Sequence, residues 1–141
     1  MWLLFACASA LFAGLTAVLA KQGVRTTDST LATALRTPVV LLGAWGMTLL
    51  SGSVHETGQV GARSLVYLVL SGLATGASWL CYFKALQLGD VSKVAPVDKM
   101  STVLTVIMAV LLLGEGLSAL GAVGLALVTV GTLLMLRAED L

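Results

Sequence analysis

The chain has 141 residues, 58% hydrophobic and only 11% charged, where a soluble domain carries about 25% Asp, Glu, Lys and Arg. That excludes an ordinary soluble domain. Lys+Arg 8 against Asp+Glu 7 gives a net charge of +1 with no basic run, so the chain has no electrostatic basis for nucleic-acid binding. A membrane-spanning helix needs about 20 mostly apolar residues, because a rise of about 1.5 Å per residue then crosses roughly 30 Å of hydrocarbon, and the sequence holds five such stretches. Five spans use about 100 residues, so the expectation is an all-α polytopic membrane protein, a single transmembrane domain over 1–141 that works within the lipid bilayer.

The first span is expected over about residues 2–20, ending at Lys21. It has no positive segment before its apolar core, and Lys21 and Arg25 follow it, which favours a retained helix over a cleaved signal. Asp28-Ser29-Thr30 is a capping signal for a second span over 31–50. The longest connection, with Gly52, Gly58, Gly61 and the single histidine His55, leads to a third span over 65–88, closed by Gly89-Asp90. A fourth span is expected over 94–113, with Pro96 near its start where a missing N–H is harmless. Gly114-Glu115-Gly116 predicts a tight reversal into a fifth span over 117–136, whose Gly121, Ala122, Gly124, Ala126 and Gly131 form a small-residue packing surface. Cys7 and Cys81 lie in apolar segments without metal-ligand spacing, and no cofactor motif occurs.

With alternating sides, seven of the eight basic residues fall at one membrane face: Lys21, Arg25, Lys93 and Arg137, with Arg36, Lys84 and Lys99 one to two turns into their helices. Arg63 alone lies at the other. Because basic residues near span ends stay cytoplasmic, the N-terminus is expected outside and the C-terminus in the cytoplasm. Ionisable groups inside spans are costly and call for a partner, an interior position or escape to the headgroups. Lys84 and Lys99 have side chains long enough to snorkel, and otherwise serve as charge partners or gates. Arg36 is deeper, and Asp98 has too short a side chain to escape. For Asp98, a salt bridge to Arg36 or Lys84 competes with a substrate or ion contact. Asp98, Ser101, Thr102 and Thr105 form one polar stripe, and Ser71, Thr75, Ser78 and Tyr82, beside Trp79, form another. If these stripes face each other they line a narrow cavity; alternatively the hydroxyls bond their own i−4 carbonyls.

Tyr82-Phe83-Lys84-Ala85-Leu86-Gln87-Leu88-Gly89-Asp90, then Val94-Ala95-Pro96, then Leu112-Leu113-Gly114-Glu115, resembles the third-to-fourth-helix region of the EamA-like family of the drug/metabolite transporter superfamily. Leu35-Arg36-Thr37 and the glycine-bearing last span are similar too. The resemblance implies a short bacterial or archaeal secondary transporter of one five-helix unit. Larger relatives hold two such units as inverted repeats about a central cavity, so the resemblance also implies a dimer, either of two copies or with a second five-helix unit. An antiparallel pair of copies conflicts with the basic asymmetry. The proton-binding glutamate that related small multidrug resistance proteins carry in their first helix has no counterpart, since no ionisable residue precedes Lys21.

The expectation is therefore a transporter or exporter of a small metabolite or drug-like compound, working by alternating access. Arg36, Trp79, Tyr82, Asp98 and Thr102 are its substrate-pathway candidates, and Lys84, Lys99 and Glu115 are possible charge partners or gates. The alternative is a non-transporting subunit that stabilises a larger membrane partner through its small-residue face. No nucleophile-base pair or metal cluster suggests an enzyme.

Overall fold

Six α-helices and one 3-10 segment account for the described residues, 1–138, of the computed structural model, which is 87% helical. The helices are α1 (Trp2–Gly23), α2 (Ser29–Leu50), α3 (Ala62–Leu88), α4 (Val91–Asp98), α5 (Met100–Leu113) and α6 (Ala119–Ala138), with the 3-10 segment Ser53–Gln59 between α2 and α3. Five stretches are long and apolar enough to cross a membrane, α4 and α5 together forming the fourth, Val91–Leu113.

Local chemistry explains where the helix ends fall. Asp28 caps α2: its carboxylate oxygen accepts the backbone N–H groups of Thr30 at 2.9 Å and Leu31 at 3.2 Å, two of the donors that a helix start leaves unpaired. The helix consequently begins at Ser29, two residues before the expected start. Helix α6 begins at Ala119, two residues later than expected, because the Ser118 hydroxyl accepts the N–H of Gly121 at 3.1 Å and caps it there. The reversal before it stands on Gly114, whose φ of +68° is the left-handed conformation that glycine adopts without strain.

The fourth span departs most from expectation. It begins at Val91, so Pro96 lies inside α4 and not at its first turn, and the helix is interrupted at Lys99. Proline has no N–H for the carbonyl four residues back and its ring crowds that carbonyl, which breaks or bends a helix. Pro38 sits likewise inside α2, which continues past it.

The contacts group the chain into two compact units, Met1–Leu88 and Gly89–Leu141. In the first, α3 packs against both α1 and α2, and the 3-10 segment packs on α2. Its buried residues, Ala17, Val24, Ser29, Thr33, Phe83 and Leu86, gather where α1 ends, α2 begins and α3 ends. In the second unit α4, α5 and α6 contact one another. There the buried Thr132 hydroxyl of α6 bonds the carbonyl of Val128 at 2.9 Å and reaches that of Pro96 at 3.5 Å. Large apolar side chains such as Leu42, Leu73, Leu111 and Leu127 are exposed along the helices, as suits surfaces that meet lipid.

Candidate functional site

In the first unit, polar groups from three helix ends are tied together. The last four carbonyls of a helix have no partner within it and carry partial negative charge. Leu86 contributes one of these at the end of α3, and the Lys21 ammonium, in the last turn of α1, donates to it at 2.7 Å. One residue on, the Gln87 amide donates to the Thr27 carbonyl in the α1–α2 connection at 3.2 Å and accepts from Lys84 at 3.1 Å. Asp28 sits in the same region, outside the spans. The backbone N–H groups of Leu31 and Thr30 hold its carboxyl below its ordinary value, with a lesser contribution from the charge of Lys84.

Arg36 lies about two turns deeper, at the eighth residue of α2. Its guanidinium carbon is 4.6 Å from the centroid of the Trp79 ring and 5.3 Å from that of Phe83, both on α3. Phe83 in turn meets Tyr82 edge-on, with centroids 6.1 Å apart. Among the described residues of this unit, neither a carboxylate nor a hydrogen-bond acceptor engages the guanidinium. A charge at the centre of a spanning helix costs about 2.5–3.5 kcal/mol on insertion scales, while a cation–π contact returns about 0.5–1 kcal/mol at an exposed site. Arg36 lies short of the centre, where the cost is smaller, so the two rings offset most of it while supplying no oxygen to the N–H donors.

Arg36 lines a half-open cavity of about 280 Å³. Thr16, Leu19, Ala20 and Gly23 of α1 form one wall, Ala32 and Arg36 of α2 another, and Phe83 of α3 the third. Arg36 and Trp79, both expected site residues, are thus brought together, with Tyr82 and Lys84 on the same helix as Trp79. The α1 wall is not among the sequence-based candidates; its signal is the spacing of Thr16, Leu19, Ala20 and Gly23 at i, i+3, i+4 and i+7, which places them on one helix face. Phe83 adjoins the stripe ending at Tyr82 and stands in the sequence only as part of the Tyr82–Asp90 motif.

The other candidates belong to the second unit. Asp98 ends α4 and pairs across the helix break with its neighbour Lys99 at 3.8 Å, both partly exposed. Thr102 follows in the first turn of α5 and is exposed, and its N–H bonds the Lys99 carbonyl at 3.0 Å. Glu115 lies in the reversal between α5 and α6, where its N–H bonds the Ala109 carbonyl at 3.3 Å. Of the two polar stripes, Thr75 and Thr105 bond the carbonyls four residues back, at 2.9 and 2.8 Å, the alternative that serine and threonine commonly take in membranes. The chain's two prolines each stand two residues from an intramembrane charge, Pro38 from Arg36 and Pro96 from Asp98.

Five apolar spans, interior prolines and a cavity edged by a cation define a polytopic α-helical membrane protein. Residues 1–137 match the EamA-like transporter family, and the chain belongs to it. A protein of Sinorhizobium sp. described as an uncharacterized transporter in the cobO 3' region is 46% identical over 134 residues, covering 95% of each chain. No solved structure matches the chain. Family and relative together make this a membrane transporter.

Proposed function

We propose that the chain carries a small organic compound across the cell membrane by alternating access, and that the cavity beside Arg36 is where substrate is held in the first unit. The observation that carries the reading is Arg36 itself, a cation kept within a span on two aromatic faces, lining a groove and meeting no carboxylate among the described residues of its unit. An intramembrane ionisable group of this kind marks a solute pathway by default. Within the second unit, Asp98 and Thr102 at the interruption of the fourth span are the candidate polar groups. The active form is a dimer, of two copies or with a second five-helix unit, because one unit supplies half of the two-repeat cavity of longer transporters. The N-terminus lies outside and the C-terminus in the cytoplasm, as the gathering of seven basic residues at one face supports.

The test is uptake and efflux of a panel of small metabolites by the purified chain in liposomes, repeated with Arg36→Gln and Asp98→Asn. Transport by the native chain that falls by about tenfold or more in Arg36→Gln is expected, the effect of losing a charged hydrogen-bond donor. Normal transport in both variants at equal incorporation overturns the site.

A further inference from the structure

Building on the transport reading, we infer that the Arg36 cavity binds a small organic monoanion, a carboxylate or sulfonate on a compact apolar body. A guanidinium offers five N–H donors in a planar fork that matches carboxylate-like oxygens. Trp79 and Phe83 take up its charge through their ring faces but offer those donors no oxygen, so the interaction an anion would supply is the one left open.

The lining decides the charge of the ligand. Besides Arg36 it contains no charged side chain; Thr16 adds one hydroxyl, and Leu19, Ala20 and Phe83 are apolar. A dianion would bring a second negative charge against apolar walls with nothing to match it, and a zwitterion would bring an ammonium that finds no carboxylate, and burying an unpaired charge is strongly unfavourable. The neighbouring ammonium groups are already committed, Lys21 to the Leu86 carbonyl and Lys84 to the Gln87 amide. They still raise the local potential toward anions. The volume decides the size: about 280 Å³ is the room of about nine waters at roughly 30 Å³ each, just below the range of about 300–1,000 Å³ typical of ligand pockets. A single substituted ring is of that size.

The probe is radiolabelled benzenesulfonate, a permanent monoanion, bound to the full chain in phosphatidylcholine nanodiscs and followed by scintillation proximity. Unlabelled benzenesulfonamide, of the same shape without the charge, is the competitor. Saturable binding is expected, with the sulfonamide competing at least about tenfold more weakly, as the loss of a charge-assisted bond requires. Arg36→Gln should weaken binding by a similar factor. Ala20→Leu, which fills the cavity from α1 without touching the cation, should do so too. Equal competition by the sulfonamide, no saturable binding, or unchanged affinity in both variants overturns the proposal. A second arm uses phosphatidylglycerol nanodiscs: sulfonate affinity within about twofold of that in phosphatidylcholine supports a solute site, whereas its abolition means that a lipid headgroup holds the guanidinium and overturns the proposal. Binding without transport in liposomes leaves this site standing and removes the transport reading. Arg36-independent transport without sulfonate binding does the reverse.

Discussion

Replacing Arg36 by methionine keeps an unbranched side chain of similar reach and removes the charge, which separates a structural clamp from a group held for function. Arg36 lies seven residues beyond the start of α2, about 10 Å along the helix at about 1.5 Å per residue. It therefore sits short of the bilayer centre, where the cost of a charge would be about 2.5–3.5 kcal/mol, and at its own depth, beside an open cavity, the cost is about half that. Its ring contacts at 4.6 and 5.3 Å lie within the roughly 6 Å limit for cation–π attraction and together return about 1–2 kcal/mol. The two terms cancel to within about 1 kcal/mol, so Arg36→Met should shift the thermal unfolding midpoint in detergent by no more than about 4 °C. The assay is tryptophan fluorescence or circular dichroism on heating, with gel filtration to confirm the same assembly. A fall of more than about 8 °C, or roughly 2 kcal/mol, would show that the stack holds α2 to α3 and would refute the reasoning that Arg36 is kept for a ligand.

Two further outcomes follow from the polar knot at the helix ends. Lys21→Met removes the donor to the Leu86 carbonyl and should cost about 1.5–3 kcal/mol, the range for a charge-assisted hydrogen bond, whereas Arg25→Met, exposed in the α1–α2 connection, should change stability by less than about 0.5 kcal/mol. Equal effects in thermal melts would mean that the 2.7 Å bond contributes nothing specific. Asp28 makes stability depend on acid: its carboxyl is held below the ordinary value of 3.8 by the N–H groups of Leu31 and Thr30. Its stabilisation is therefore complete above that value and is lost as pH falls through the lowered one. Asp28→Asn keeps a capping oxygen, so the difference in stability between native chain and variant should stay flat above about pH 5 and shrink in the acid range; a difference that grew on acidification would contradict the assignment.

Much of this architecture could be read locally. Five spans follow from length and apolarity, which the bilayer demands of each segment separately, and the Asp28 cap follows from one side chain meeting the N–H groups just after it. The boundaries missed were also local in origin, yet their signals were ambiguous. Ser118 competed with Gly116 as the place where α6 starts, and Pro96 was compatible with either a first turn or an interior break. Arg36, Trp79, Tyr82 and Asp98 could be singled out as candidates because charge and aromatic bulk stand out against an apolar background.

What the sequence determined by itself was therefore the number of crossings and which residues are costly to keep there, since both are properties of a segment against its solvent. Only the tertiary structure decided that Arg36 rests on Trp79 and Phe83, that Lys21 closes the end of α3, and that α1 supplies a cavity wall. In water the inner face of a helix is written as hydrophobic periodicity, but lipid is as apolar as a protein core. An α1 that is apolar or small along most of its length, with Thr16 a single hydroxyl in its inner half, carries little mark of which side looks inward, and that choice is made when its neighbours pack against it.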